Sequence, residues 1–144
     1  MAIELNDEIR SAVNSALLSG RPITVAVVTP DGAPAVTFRG STQTYGNDAL
    51  SLWIRSPDSS TFMRSIAAEP RVVLTYQNMA ERSFFIFHGR ARLEPDEGER
   101  STIFEGTPPP EQERDPERTG AAVIVELDAV FGRGGGEMIQ MTRD

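Results

Sequence analysis

The feature that most constrains the fold is a period of two running through residues 36–55. Val36, Phe38, Leu50, Leu52 and Ile54 are apolar and sit at even positions. Thr37, Arg39, Ser41, Gln43, Ser51, Trp53 and Arg55 sit at odd positions. Alternation of this kind belongs to strands with one apolar and one polar face. Gly46-Asn47-Asp48 separates the two halves and reads as a three-residue turn. Tyr45 then faces Ala49, Gln43 faces Ser51, Ser41 faces Trp53 and Arg39 faces Arg55. A slip of one residue would mix the two faces, so the pattern selects this register.

The rest of the chain reads as further strands joined by short turns. Leu5, Ile9, Val13 and Leu17 recur at i, i+4 and predict an amphipathic helix closed by Gly20. Residues 23–28 are β-rich, Pro30-Asp31-Gly32 is a turn, and the return strand runs from Ala35 through Arg39 towards Tyr45. After the strand at 49–55, a short helix capped by Asp58 or Ser59 ends at Pro70. Strands at 71–77 and 83–93 flank a polar turn, and Gly89 marks a bulge or bend. Ile103 and Phe104 suggest a short docked helix, and residues 107–118 form a proline-rich acidic surface excursion. Residues 121–131 are a strand. The glycine-rich end, 132–144, is a flexible tail or a short final strand.

This amounts to one domain over 1–144, mainly β with flanking helices, built on a six-stranded antiparallel sheet closed as a barrel. No strand–helix alternation is present, and Gly134–Gly136 lacks the strand and helix that frame a dinucleotide loop.

Composition narrows the chemistry. The 144 residues include no cysteine and one histidine, His88, which excludes disulfides, thiolate chemistry and multi-histidine metal sites. The net charge of −7 argues against nucleic acid. No apolar run reaches membrane-span length, so a cytoplasmic location is the expectation. All 14 basic residues are arginine, so an anion site must use guanidinium groups or backbone N–H groups.

Two arginines facing each other on a sheet repel by up to about 1 kcal/mol. Either both splay into solvent or pair with carboxylates, or they hold an anion. The Ser41 and Thr42 hydroxyls and the start of the following helix, with Ser56, Ser59, Ser60 and Thr61, add anion donors. Asp58 competes for the same place.

The run from Leu50 to Leu93 resembles the pyridoxamine 5′-phosphate oxidase-like family of flavin-binding split barrels. The resemblance rests on a strand ending in a Ser-containing turn, a short helix, the corner Glu69-Pro70-Arg71-Val72, and the strand motif Gly89-Arg90-Ala91-Arg92-Leu93. It implies a six-stranded split barrel and a homodimer with FMN at the subunit interface. It also implies a phosphate held by Arg39 and by donors around Arg55, Ser56 and Ser60. The basic residues that the family places beside that hydroxyl are Thr61 and Phe62 here, leaving Arg55 or Arg64 as substitutes. The cofactor-binding set is thus Arg39, Gly40, Ser41, Thr42, Trp53, Arg55, Ser56, Ser60, Thr61 and Arg64. Trp53 either borders the flavin ring or is barrel core, whereas Phe85 and Phe87 are expected in the core.

The leading expectation is a small FMN-dependent oxidoreductase-like protein with an unidentified small-molecule substrate and no recognisable catalytic residue. An F420-dependent reductase on the same fold is an alternative. A non-enzymatic flavin- or haem-binding dimer with a decayed site is another. His88 is the only candidate axial ligand for haem.

Overall fold

The computed structural model describes residues 2–143. Helix α1 (Asp7–Asn14) starts at Asn6, whose side chain accepts from the Ile9 N–H at 2.8 Å. The strands are β1 (Thr24–Val28), β2 (Pro34–Phe38), β3 (Gln43–Tyr45) and β4 (Ala49–Ile54). Helix α2 (Thr61–Ala68) follows, then β5 (Arg71–Asn78) and β6 (Ser83–Glu94). Helices α3 (Glu97–Gly106) and α4 (Pro109–Glu113) precede β7 (Ala121–Gly134) and β8 (Glu137–Thr142).

All pairings are antiparallel, in the order β2-β1-β5-β6-β7-β4-β3, with β8 also on β7. The long β7 makes this possible. Its first half pairs with β4 and its second half with β8, while β6 lies along the other edge. The result is an antiparallel split barrel.

The sheet has eight strands rather than six, for two local reasons. The expected return strand breaks at residues 39–42 and becomes β2 and β3. The glycine-rich end is a strand, β8, reached through a turn in which Gly135 and Gly136 both take positive φ. That conformation is open to glycine at little cost.

The predicted register holds where the strands remain paired: Gln43 faces Ser51, Thr44 faces Leu50 and Tyr45 faces Ala49. The Arg10 guanidinium pins the turn by donating to the Gly46 carbonyl at 2.8 Å and to Asn47 Oδ1 at 3.0 Å. The bulge at Gly89 is also present, as a register shift between His88 and Gly89. A Cβ there would lie 2.6 Å from the Glu126 carbonyl oxygen, so only glycine fits this approach of β7.

The shared apolar face expected for Val36, Phe38, Leu50, Leu52 and Ile54 is not formed. Leu50, Leu52 and Ile54 are fully buried, but Val36 and Phe38 are 65% and 71% exposed. The reason is that β2 pairs with β1, not with the hairpin, and turns its even residues outward.

The main core fills the barrel with Val25, Leu52, Leu74, Phe85, Phe87 and Val125, so Phe85 and Phe87 sit where expected. A second cluster lies across β4 and β7, where α3 brings Ile103 and Phe104 onto Trp53, Ala122 and Ile124. Strand β4 is therefore buried on both faces. Residues 107–118 are not all surface. Pro109 and Pro110 open α4, where a missing N–H costs nothing, and Asp115 is buried. No helix among the described residues is long and apolar enough to cross a membrane.

Candidate functional site

The break between β2 and β3 sets the site. Arg39 leaves the β1 ladder after one last bond, its N–H donating to the Ile23 carbonyl at 2.8 Å. The Thr42 N–H and hydroxyl both return to the Arg39 carbonyl, at 3.2 and 2.8 Å, and tighten the turn. Ser41 is buried and donates its hydroxyl to the Trp53 carbonyl at 3.0 Å while accepting the Trp53 N–H at 2.9 Å. The Ser41 and Thr42 hydroxyls, expected as anion donors, are thus consumed inside the fold.

Arg39 does not oppose Arg55 in a ladder, yet the two guanidinium groups act on each other. Burial, with repulsion from Arg55, holds Arg39 below its ordinary pKa, and Glu111 opposes that shift. Arg39 lies 4.7 Å above the Phe62 ring, a cation–π contact worth about 0.5–1 kcal/mol. Its buried Nε has no hydrogen-bond partner. Among the described residues neither Arg39 nor Arg55 forms an ion pair. A buried donor left unmade costs about 1–3 kcal/mol, more when charged, and Arg39 Nε carries that cost.

The two arginines and Ser56 form a wall between two grooves. The smaller, about 330 Å³, is lined by Thr37, Arg39, Arg55, Ser56, Ser60 and Thr61, with Ser59 and Phe62 beside them. Ser60 caps α2 by accepting the Met63 N–H at 3.1 Å, which leaves its proton free to donate into the groove. Ser56 sits in the left-handed region at φ 51°, a strained conformation for a serine, where the chain turns from β4 towards α2. Arg64 does not line this groove, and its guanidinium donates to the Thr61 hydroxyl at 3.0 Å.

The larger groove, about 640 Å³, lies on the other side of the wall, with Gly40, Ser41 and Trp53 in its lining and Glu111 and Arg114 opposite. A Cβ on Gly40 would meet Leu17 at 3.0 Å and the Glu111 carboxylate at 3.2 Å, so this glycine keeps the floor clear.

Trp53 is buried. Its ring packs edge-on against Phe104 at 5.0 Å, and its Nε1 donates to Asp115 at 2.8 Å. Asp115 also accepts from the backbone N–H of Gly120 and from the N–H and hydroxyl of Thr119. Burial pushes this carboxyl upward, but the four donors outweigh it and hold the group below the usual carboxylate range. Asp115, Glu111 and Arg114 are the residues the sequence did not point to. They come from the acidic segment, and nothing in its composition marks which acid turns inward.

His88 lies elsewhere. It lines a third cavity of about 360 Å³ with Glu69, Arg71 and Asp128. Among the described residues no group of three or more His, Asp or Glu is placed to hold a metal ion.

No protein-family model matches the sequence, and no curated protein matches it. Solved structures do. A pyridoxinephosphate oxidase family protein from Clostridium acetobutylicum, related to general stress protein 26 of B. subtilis, superposes with a TM-score of 0.66 at 11% identity over 90% of both chains. A NimC/NimA family protein from the same organism gives 0.69 at 12% identity over 96% of both. A heme binding protein from Mycobacterium smegmatis gives 0.63 at 16% identity, covering 96% of this chain and 60% of the other. The chain has the pyridoxamine 5′-phosphate oxidase-like split-barrel fold. Within that fold, the Arg39–Arg55 wall stands where strand β2 ends and β4 hands over to α2.

Proposed function

We propose that the protein is an FMN-binding, oxidoreductase-like homodimer whose cofactor phosphate is held in the smaller groove by Arg39, Arg55, Ser56, Ser60 and Thr61. The observation that carries this is the half-buried Arg39 guanidinium, beside a second arginine, with a buried Nε that has no acceptor. A phosphate supplies what the site lacks, because guanidinium forks pair with it through charge-assisted bonds. The hydroxyl of Ser60 and the first turn of α2 face the same groove, and a helix start favours an anion. A bound FMN supplies the hydride chemistry, and the chain supplies anchoring and orientation.

The dimer is supported by the outer face of the sheet. Val36, Phe38, Phe131 and Met138 are exposed there, with Val73 and Ile86 half-buried between them. Thr24 and Thr75 lie between Phe38 and Ile86, and exposed apolar residues spread over several strands in this way suit a partly polar contact face. A second copy covering it would meet Phe38 at the rim of the larger groove. Haem needs an axial ligand, and His88 lines a different cavity from both arginines, so the arginine pair favours the flavin.

The test is a fluorescence titration of the purified protein with FMN and with riboflavin. The reading expects saturable FMN binding and riboflavin at least about tenfold weaker, since only the phosphate reaches the arginines. Equal affinity for the two would move the flavin away from this groove.

A further inference from the structure

We infer that the larger groove is a second binding site, for a small molecule with one carboxylate on an apolar body. This rests on the flavin reading only in assigning the smaller groove to the phosphate. At about 640 Å³ the groove has the size of small-molecule sites, which run from roughly 300 to 1,000 Å³. Its walls are of two kinds. Leu17, Leu18, Pro22 and Pro110 give apolar surface, and Leu18 is 67% exposed. Arg39, Arg55 and Arg114 bring three guanidinium groups to one cleft, against the single carboxylate of Glu111.

Before the phosphate binds, that balance is opposite in sign to the chain as a whole, which carries −7. A positive cleft in an acidic protein focuses field and raises the local concentration of anions. Arg114 reaches this groove and not the smaller one, so it gives the second site a cation of its own. Glu111 stands across the cleft beside Gly40 and Arg39. With Arg39 and Arg55 engaged by the phosphate, Arg114 is the guanidinium left to this groove, which sets the preference for a ligand with a single negative charge. The apolar walls take the body of that ligand.

Isothermal titration of the FMN-supplemented protein with 2-naphthoate and with 2-naphthamide tests this. The account expects one naphthoate per chain, naphthamide at least about tenfold weaker, and no loss of bound FMN. Arg114→Ala is expected to weaken naphthoate about tenfold while leaving FMN affinity unchanged, and Glu111→Gln to tighten it. Arg114→Gln serves if the alanine variant does not fold. Equal binding of acid and amide, no binding at millimolar concentration, or full naphthoate affinity in the Arg114 variants overturns the site. Displacement of FMN by naphthoate shows that the two grooves are one site and overturns it too. If naphthoate binds as stated while FMN never binds, the flavin reading fails and the second site stands.

Discussion

The Ser41 hydroxyl bridges the backbone of Trp53, accepting its N–H at 2.9 Å and donating to its carbonyl at 3.0 Å. A side chain here performs the pairing that a strand backbone performs elsewhere in the sheet. The chain can therefore turn away at residues 39–42, freeing Arg39 to face two grooves, without leaving β4 unpaired. Ser41→Ala removes both bonds at a buried position. It is expected to cost about 2 kcal/mol in a urea unfolding experiment, because two backbone groups lose their partner. Ser41 exposes 1% of its surface, so water does not replace the hydroxyl.

Asp115 predicts an acid-sensitive contribution. Its carboxyl is held below the ordinary range by Trp53, Thr119 and Gly120 in spite of burial. A depressed native pKa means stability that is complete above the unfolded-state value of about 3.9 and is lost as pH falls through the native value. Asp115→Asn is expected to destabilise the protein by roughly 2–3 kcal/mol at pH 7. The gap between variant and parent closes as the pH falls below about 4. Paired melts between pH 3 and 7 read this directly. A gap independent of pH would show that the charge contributes nothing.

Gly120 sits against the same tryptophan. A Cβ there would lie 2.5 Å from Trp53 Nε1 and 2.6 Å from the Ile54 carbonyl oxygen. Gly120→Ala must displace the ring, at a cost of about 1–3 kcal/mol for overpacking. Trp53 is the only tryptophan, so its emission is expected to shift to the red as the Asp115 bond is lost.

The outer face predicts the oligomer. Val36→Arg places a charge at a position that is 65% exposed in the single chain, on the β2 edge of the proposed dimer face. Light scattering is expected to show a dimer for the parent and a monomer for the variant, with the melting of the monomer set by its own core. A variant that stays dimeric would place the contact elsewhere.

Local patterns made much of this legible, and long-range pairing hid the rest. The turn at Gly46-Asn47-Asp48 and the register beyond it were readable because facing residues are close in sequence. The bulge at Gly89 was readable because glycine interrupts a long apolar strand. The break at Gly40 was not. It depends on β2 choosing β1 as its partner, and Val36 and Phe38 carry the same alternation whichever neighbour they take. The inward turn of Asp115 was hidden for a similar reason. Its partner Trp53 is 62 residues away, and the surrounding prolines and acids read as surface. At the site, Arg39, Arg55, Ser56, Ser60 and Thr61 do come together. Ser41 and Thr42 face inward, and Arg64 is spent on Thr61.

The central claim is that half-buried Arg39 keeps its buried Nε unpartnered for an anion. The most direct measurement is the FMN affinity of Arg39→Ala beside its thermal melt. The account predicts at least about a tenfold loss of FMN affinity, the share of one charge-assisted contact. It also predicts a melting temperature equal to or above the parent's, since repulsion from Arg55 and an unpaired buried donor are both removed. Unchanged FMN affinity together with a lowered melting temperature would contradict it, and would make Arg39 a structural partner of Phe62.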